Sequence, residues 1–229
     1  MRLQVKLLHF WLASVVLGAT LGLPRLGASA EKPVAIAPPA PLDLPRLLQA
    51  FAQSPGLSAR FIEKKQLALL AAPLESAGML YFSPVAGLAR QVERPERSIL
   101  VVDSKQVRMF DGTRWEIIDL AGKPVVRMFV ESFLRILQGD LPALRLMYAI
   151  ELQREASTPH KWTLVLRPRL DPMNKLIDRL ELRGERLILA QLKIVEVGGD
   201  ETQTQFSEVQ PTRVFSDAER TRFFPAPAK

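Results

Sequence analysis

The chain has 229 residues, 48% of them hydrophobic, with 31 Lys and Arg against 24 Asp and Glu and no cysteine. Without thiols there are no disulfides, no cysteine nucleophile and no cysteine-ligated metal, and no cysteine to carry a lipid at a mature N-terminus. Two histidines rule out a His-rich zinc site, and a basic excess with no Lys/Arg-rich block gives no reason to expect a nucleic-acid partner.

Arg2 and Lys6 lead into an apolar run from Leu7 to Leu23, and Ala28-Ser29-Ala30 closes it. That order predicts a secretory signal peptide over residues 1–30, cleaved after Ala30; retention as an anchor is the alternative. Ser14, Gly18, Thr20, Gly22 and Pro24 interrupt the run, which suits it poorly to a span of about 20 apolar residues. The mature chain would have 199 residues, 28 basic and 24 acidic, for a net charge of +4. That is the length of one domain with its own core, and the signal places it outside the cytoplasm. Residues 31–43, with Pro33, Pro38, Pro39 and Pro41 among alanines, read as an extended leader, ahead of a folded domain over 44–229.

Leu44 to Ala52 is predicted as a short helix with Leu44, Leu47, Leu48 and Phe51 on one face. Short strands follow: Ala59–Lys64, Glu75–Phe82 with a bulge at Gly78, Leu88–Glu93, Ser98–Asp103, Gln106–Phe110 and Arg114–Leu120. Ile99 to Val102 is apolar on both faces, so that strand should be covered on both sides. Val125–Gln138 is then predicted as a helix, with Pro124 at its start and Gly139 past its end, followed by a shorter helix over Leu141–Met147. Five more strands are predicted at Tyr148–Glu155, Trp162–Arg167, Leu176–Arg183, Leu187–Val195 and Thr202–Val209, the last two joined by a hairpin at Gly198-Gly199. One more helical turn is expected from Asp217. About eleven strands with a central helical insertion predict an antiparallel sheet that curls or closes.

The insertion is the most informative segment. Arg127, Glu131, Arg135 and Gln138 form a single polar stripe on Val125–Gln138, and almost everything else there is apolar. An amphipathic surface helix needs an apolar stripe little wider than about 100°; here it exceeds half the circumference. Such a helix is either buried across the sheet or a lid over an apolar cavity, with Met128, Phe129, Phe133 and Leu137 as its wall. Strand parity groups Met79 with Tyr81 and Trp115 with Ile117, and places Met109 opposite Arg108, without saying which face looks inward. Met79, Tyr81, Met109, Trp115 and Ile117 are the strand residues expected to line the cavity, Trp115 being preferred to Trp162.

Several segments, in order, resemble the LolA family of periplasmic lipoprotein carriers. Phe61-Ile62-Glu63-Lys64 is similar to the family's first strand. Ser76-Ala77-Gly78-Met79-Leu80-Tyr81-Phe82-Ser83-Pro84 is similar to its small-x-Gly-x-aromatic strand ending in a Pro, and Arg94-Pro95-Glu96-Arg97-Ser98-Ile99-Leu100-Val101-Val102-Asp103 to its Pro-x-x-x-Leu-Val-x-Asp-Gly passage, with Ser104 in place of the Gly. Leu164-Val165-Leu166-Arg167-Pro168 resembles its late Leu-x-Pro strand. The resemblance spans roughly residues 44–209. It implies an α+β fold: an incomplete antiparallel barrel of about eleven strands, with helices lidding a hydrophobic cavity for acyl chains. It implies a carrier of lipoprotein or lipid between inner and outer membrane, an inner-membrane exporter and an outer-membrane acceptor as partners, a monomer, no cofactor and no catalysis. Ser83 stands where the carriers commonly have a basic residue that latches the lid, and Arg90 where they commonly have an aromatic. A carrier of another envelope lipid and a non-catalytic scaffold are the alternatives. Hydrolysis would have to use His160, which lies in a polar turn without a Gly-x-Ser-x-Gly beside it.

Overall fold

The computed structural model describes residues 43–227 apart from 155, 156, 159 and 187, together with all side chains in that range except those of Val125 and Phe129. The predicted signal peptide, the leader before Asp43 and the side chain of Phe129 lie outside the described residues. Eleven strands form one antiparallel sheet: β1 (Leu57–Gln66), β2 (Leu74–Ser83), β3 (Gly87–Arg94), β4 (Ser98–Val102), β5 (Gln106–Phe110), β6 (Trp115–Asp119), β7 (Tyr148–Gln153), β8 (Lys161–Pro168), β9 (Ile177–Glu185), β10 (Ile188–Glu196) and β11 (Glu201–Gln210). Their spatial order is β6-β5-β4-β3-β2-β1-β11-β10-β9-β8-β7. All neighbours are consecutive in the chain except β1 and β11, and β6 and β7 are the two edges. The barrel is therefore incomplete.

The chain crosses from one edge strand to the other as helices. α1 (Leu44–Ala52) precedes β1, while α2 (Pro124–Leu137) and α3 (Leu141–Met147) connect β6 to β7. Pro124 occupies the first turn of α2, where its missing N–H costs nothing. Gly139 follows the helix with a φ of +65°, and a Cβ there would fall 1.9 Å from the Leu48 carbonyl oxygen. Only glycine lets α1 approach the end of α2 this closely. α1 starts at Asp43, whose Oδ1 accepts the Arg46 N–H at 2.8 Å. A short helix, α4 (Met173–Leu176), sits in the turn before β9, and α5 (Asp217–Phe223) is the last element.

The predicted strands are all present; β1, β2, β3, β8, β9 and β11 run longer than read from the sequence, and β4, β6 and β7 are shorter. Gly78 marks a register shift between β2 and β3, and a Cβ there would meet the Gln91 carbonyl oxygen at 1.9 Å. The turn helix α4 escaped the sequence reading because four residues are too few for a 3.6-residue period to show.

Three apolar clusters organise the interior and one outer surface. On the inner face of β1–β6, residues such as Phe61, Leu80, Leu100 and Val107 pack against Val126, Val130 and Leu134 of α2. On the inner face of β7–β10, Tyr148, Trp162, Leu164 and Leu180 pack against α1 and against Ile136, Met128 and Phe133 of α2. The helix is thus wedged between two walls, which is why more than half its circumference is apolar. Its polar stripe stays outside. Arg127 pairs with Glu131 at 3.9 Å, but Arg135 reaches past the helix end to Asp140 at 2.8 Å and not back to Glu131. The third cluster lies on the outer face, where Phe215 and Phe224 cover Tyr81, Ala89 and Val101.

Candidate functional site: an apolar cavity under the bridging helices

α1, the end of α2 and the ends of several strands enclose an apolar cavity of about 300 Å³. Phe51 of α1, Ile136 and Leu137 of α2, and Leu57, Leu182 and Leu189 of the sheet line it. The exposed residues Gln53 and Thr212 mark its open side. Ser54 Oγ donates to the Pro211 carbonyl at 2.6 Å, tying the end of α1 to the end of β11 beside this opening. A second space of about 50 Å³ continues inward, sharing Ile136, Leu137, Leu182 and Leu189 with the first and adding Phe133, Arg90 and Thr204. An apolar cavity of about 150 Å³ is already enough to stay dry and take up benzene. The larger space has room for a short stretch of alkyl chain, and no polar group is needed to hold it there: each methylene transferred from water contributes about 0.8 kcal/mol.

One buried charged group borders this apolar tract. Arg90 and Glu63, 2% and 1% exposed, form an ion pair at 2.9 Å. Arg90 Nη2 also donates to Ser76 Oγ at 3.0 Å, and Thr204 Oγ1 donates to Glu63 Oε2 at 3.0 Å. Burial pushes the Glu63 carboxyl upward, against the pull of Arg90, Thr204 and Lys65, and draws the Arg90 guanidinium downward, against Glu63. Next along β1, Lys65 Nζ pairs with Glu196 Oε1 at 3.1 Å, both largely buried.

The structure separates the residues read from sequence as cavity lining. Phe133 and Leu137 border the cavity, Met109 lies in the inner cluster, and Met128 packs on the wall around α1. Met79 and Tyr81 are on the other face, a correction to the expectation: Tyr81 stacks on Phe223 with ring centroids 4.4 Å apart, and Met79 packs on the same outer cluster. Trp115 and Ile117 are likewise not cavity residues. Ile118 is the β6 residue in the inner cluster, so its neighbour Ile117 alternates outward, 52% exposed, and Trp115 lies against the Phe110 ring at 5.4 Å. Trp162, set aside in favour of Trp115, is the inward tryptophan. It is 3% exposed, with its indole N–H donating to the Arg186 carbonyl at 2.8 Å and Phe51 edge-on at 6.2 Å. The lining residues missed include Phe51 and Ile136 on the helices and Leu57, Leu182 and Leu189 in strands, the last three carrying no signal beyond being apolar. The Ser83 hydroxyl accepts the Val85 and Ala86 N–H groups within its own turn, at 3.4 Å each.

The family described as outer membrane lipoprotein carrier protein LolA-like matches residues 36–218, most of the chain. The chain belongs to this LolA-like family. No curated protein matches it by sequence. Among solved structures it is similar to a putative outer membrane lipoprotein-sorting protein domain from Vibrio parahaemolyticus, at 9% identity and a TM-score of 0.45, over 78% of this chain and 95% of that one. It is similar to a DUF1329 family protein from Desulfovibrio piger, at 11% identity and a TM-score of 0.44, over 76% and 93%. It is also similar to a LolA superfamily protein from Nitrosomonas europaea, at 9% identity and a TM-score of 0.38, over 75% and 94%. The eleven-stranded sheet with unpaired edges and bridging helices is the incomplete barrel that the resemblance implied.

Other chemistry finds little support in this LolA-like chain. His160 is surface-exposed and contacts Glu185 Oε1 at 3.2 Å. Among the described residues no group of three or more His, Asp and Glu side chains is placed to hold a metal ion. No described helix is long and apolar enough to cross a membrane.

Proposed function

We propose that this LolA-like protein is a periplasmic carrier that shields acyl chains in the cavity between α1, α2 and the sheet, and moves lipoprotein or lipid between the inner and outer membranes. The observation that carries this reading is the apolar cavity of about 300 Å³ beneath helices that bridge the two unpaired edges. A wall made mostly of leucine, isoleucine and phenylalanine side chains binds hydrocarbon by exclusion from water. Larger cargo enters by displacement of α1, whose lower end is held near the opening by the Ser54–Pro211 hydrogen bond. An exporter in the inner membrane and an acceptor in the outer membrane would supply and receive the cargo, with the carrier working as a monomer after cleavage behind Ala30.

Mass spectrometry of organic extracts tests this directly, on protein purified from its native envelope. Acylated species recovered in stoichiometric amount, and lost on delipidation, are the expected result. Empty protein that also fails to bind a fluorescent acyl probe would leave a scaffold with the same fold as the surviving account.

A further inference from the structure

The inner wall changes character from one end of the barrel to the other. On β1 the inward residues run from Leu57 through Phe61 to Glu63 and Lys65. On β2, paired antiparallel, Phe82 and Leu80 give way to Gly78 and Ser76. On β11, Phe206 gives way to Thr204 and Thr202. Leu57 and Phe82 border the main cavity. Leu57 and Glu63 are six residues apart, about 20 Å of strand at roughly 3.3 Å per residue.

At Glu63 the apolar tract ends on β1, β2 and β11. Arg90 and Thr204 line the inner space of about 50 Å³. The Arg90 guanidinium lies 4.5 Å from the Phe61 ring centroid and is held by Glu63 and Ser76. Beyond it on β1 comes the Lys65–Glu196 pair, while on β10 Ile194, level with Lys65 through Thr202, stays apolar.

We propose that the Glu63–Arg90 pair is the floor of a linear alkyl-chain site and sets the chain length that the site accepts. This rests on the carrier reading and narrows it: the preferred cargo has chains that end at this floor. A methylene entering the apolar tract tightens binding by about fourfold. One beyond the floor has to break a hydrogen bond between buried charged groups or remain in water, so it adds nothing. The selection is by length and needs no recognition of a headgroup.

The test uses delipidated protein and a series of n-alkyl maltosides from six to sixteen carbons, each below its micelle concentration, competing with a fluorescent acyl probe. The expected affinity climbs about fourfold per methylene and then levels at a defined length. In the Arg90→Leu/Glu63→Leu double variant, which removes both charges together, the break moves to chains longer by several methylenes. In Leu192→Phe, which adds bulk in front of the floor, the break moves to shorter chains; this second variant decides the matter if the double variant does not fold. An unbroken climb to sixteen carbons overturns the floor, as does a break that stays put in the variants. Alkyl carboxylates binding more than tenfold tighter than maltosides of equal length also overturn it, because Arg90 would then be reading a headgroup. Binding by none of the probes overturns the carrier reading itself, an outcome distinct from binding without a break.

Discussion

One stretch of sheet carries two covers, and they are built differently. On the outer face of β2–β4 the C-terminal segment closes ring against ring: Phe215 meets Tyr81 edge-on at 6.2 Å and Phe224 at 5.6 Å, and Phe223 stacks on Tyr81. Polar contacts fasten it. Gln91 Nε2 donates to the Phe223 carbonyl at 2.9 Å and Arg108 Nη1 to the Pro225 carbonyl at 3.1 Å. On the inner face α2 meets the same strands through branched aliphatic side chains, Val126, Val130 and Leu134, and its far end leaves the cavity beside Ile136 and Leu137. The outer cover supplies stability. The inner one exchanges some packing for volume, which is what a carrier needs.

The comparison breaks most easily at the aromatic cluster. Phe215→Ala should cost about 3–5 kcal/mol in urea unfolding while acyl-probe affinity of the folded fraction stays unchanged; a parallel loss of affinity would mean that the two faces are coupled. Removing one member of the buried pair has an effect of similar size. Glu63→Ala leaves Arg90 without its carboxylate and should cost about 3–5 kcal/mol, whereas Arg90→Leu/Glu63→Leu should return close to wild-type stability. A double-mutant cycle in urea reads both. Leu137→Trp grows into existing space, so its cost should fall below the roughly 1–3 kcal/mol of overpacking a closed core, yet probe binding should disappear. Retained binding would place the acyl site elsewhere.

The smallest effect concerns the start of α5. Ser216 and Glu219 form a capping box there, and Ser216→Ala should cost about 1 kcal/mol. The backbone N–H of Ser216, with Arg213 nearby, holds the Glu219 carboxyl below its ordinary value of 4.5. A depressed carboxylate stabilises the folded form above pH 4.5, and that contribution fades as pH falls through the lowered value. Protection factors at α5, taken relative to the intrinsic exchange rate at each pH, should therefore fall on acidification below pH 4.5 before those at β8 and β9 do, and Glu219→Gln should remove the difference.

Much of this was legible without coordinates. The helical insertion showed itself through an apolar arc too wide for one interface, and the structure supplies two walls to fill it. The doubly apolar run Ile99–Val102 announced a strand covered on both sides; Leu100 and Val102 face α2's cluster, and Ile99 and Val101 face the aromatic one. The choice of face was not legible. Met79 and Tyr81 obey the same alternation whichever way the strand is turned, and only their contact with Phe215 and Phe223 decides it. Those aromatics lie over 130 residues away in the chain, which no local pattern can reveal.

Local chemistry, then, determined the elements of this protein: periodicities of 2 and 3.6, turn residues between them, and a proline and a glycine bounding the central helix. Those signals act over a few residues and are written in the chain itself. Tertiary structure decided which faces turned inward, where volume was left unfilled, and that Glu63, Ser76, Arg90 and Thr204 would meet. These outcomes depend on the pairing of strands far apart in the chain, and on the requirement that a charge taken out of water find its partner there.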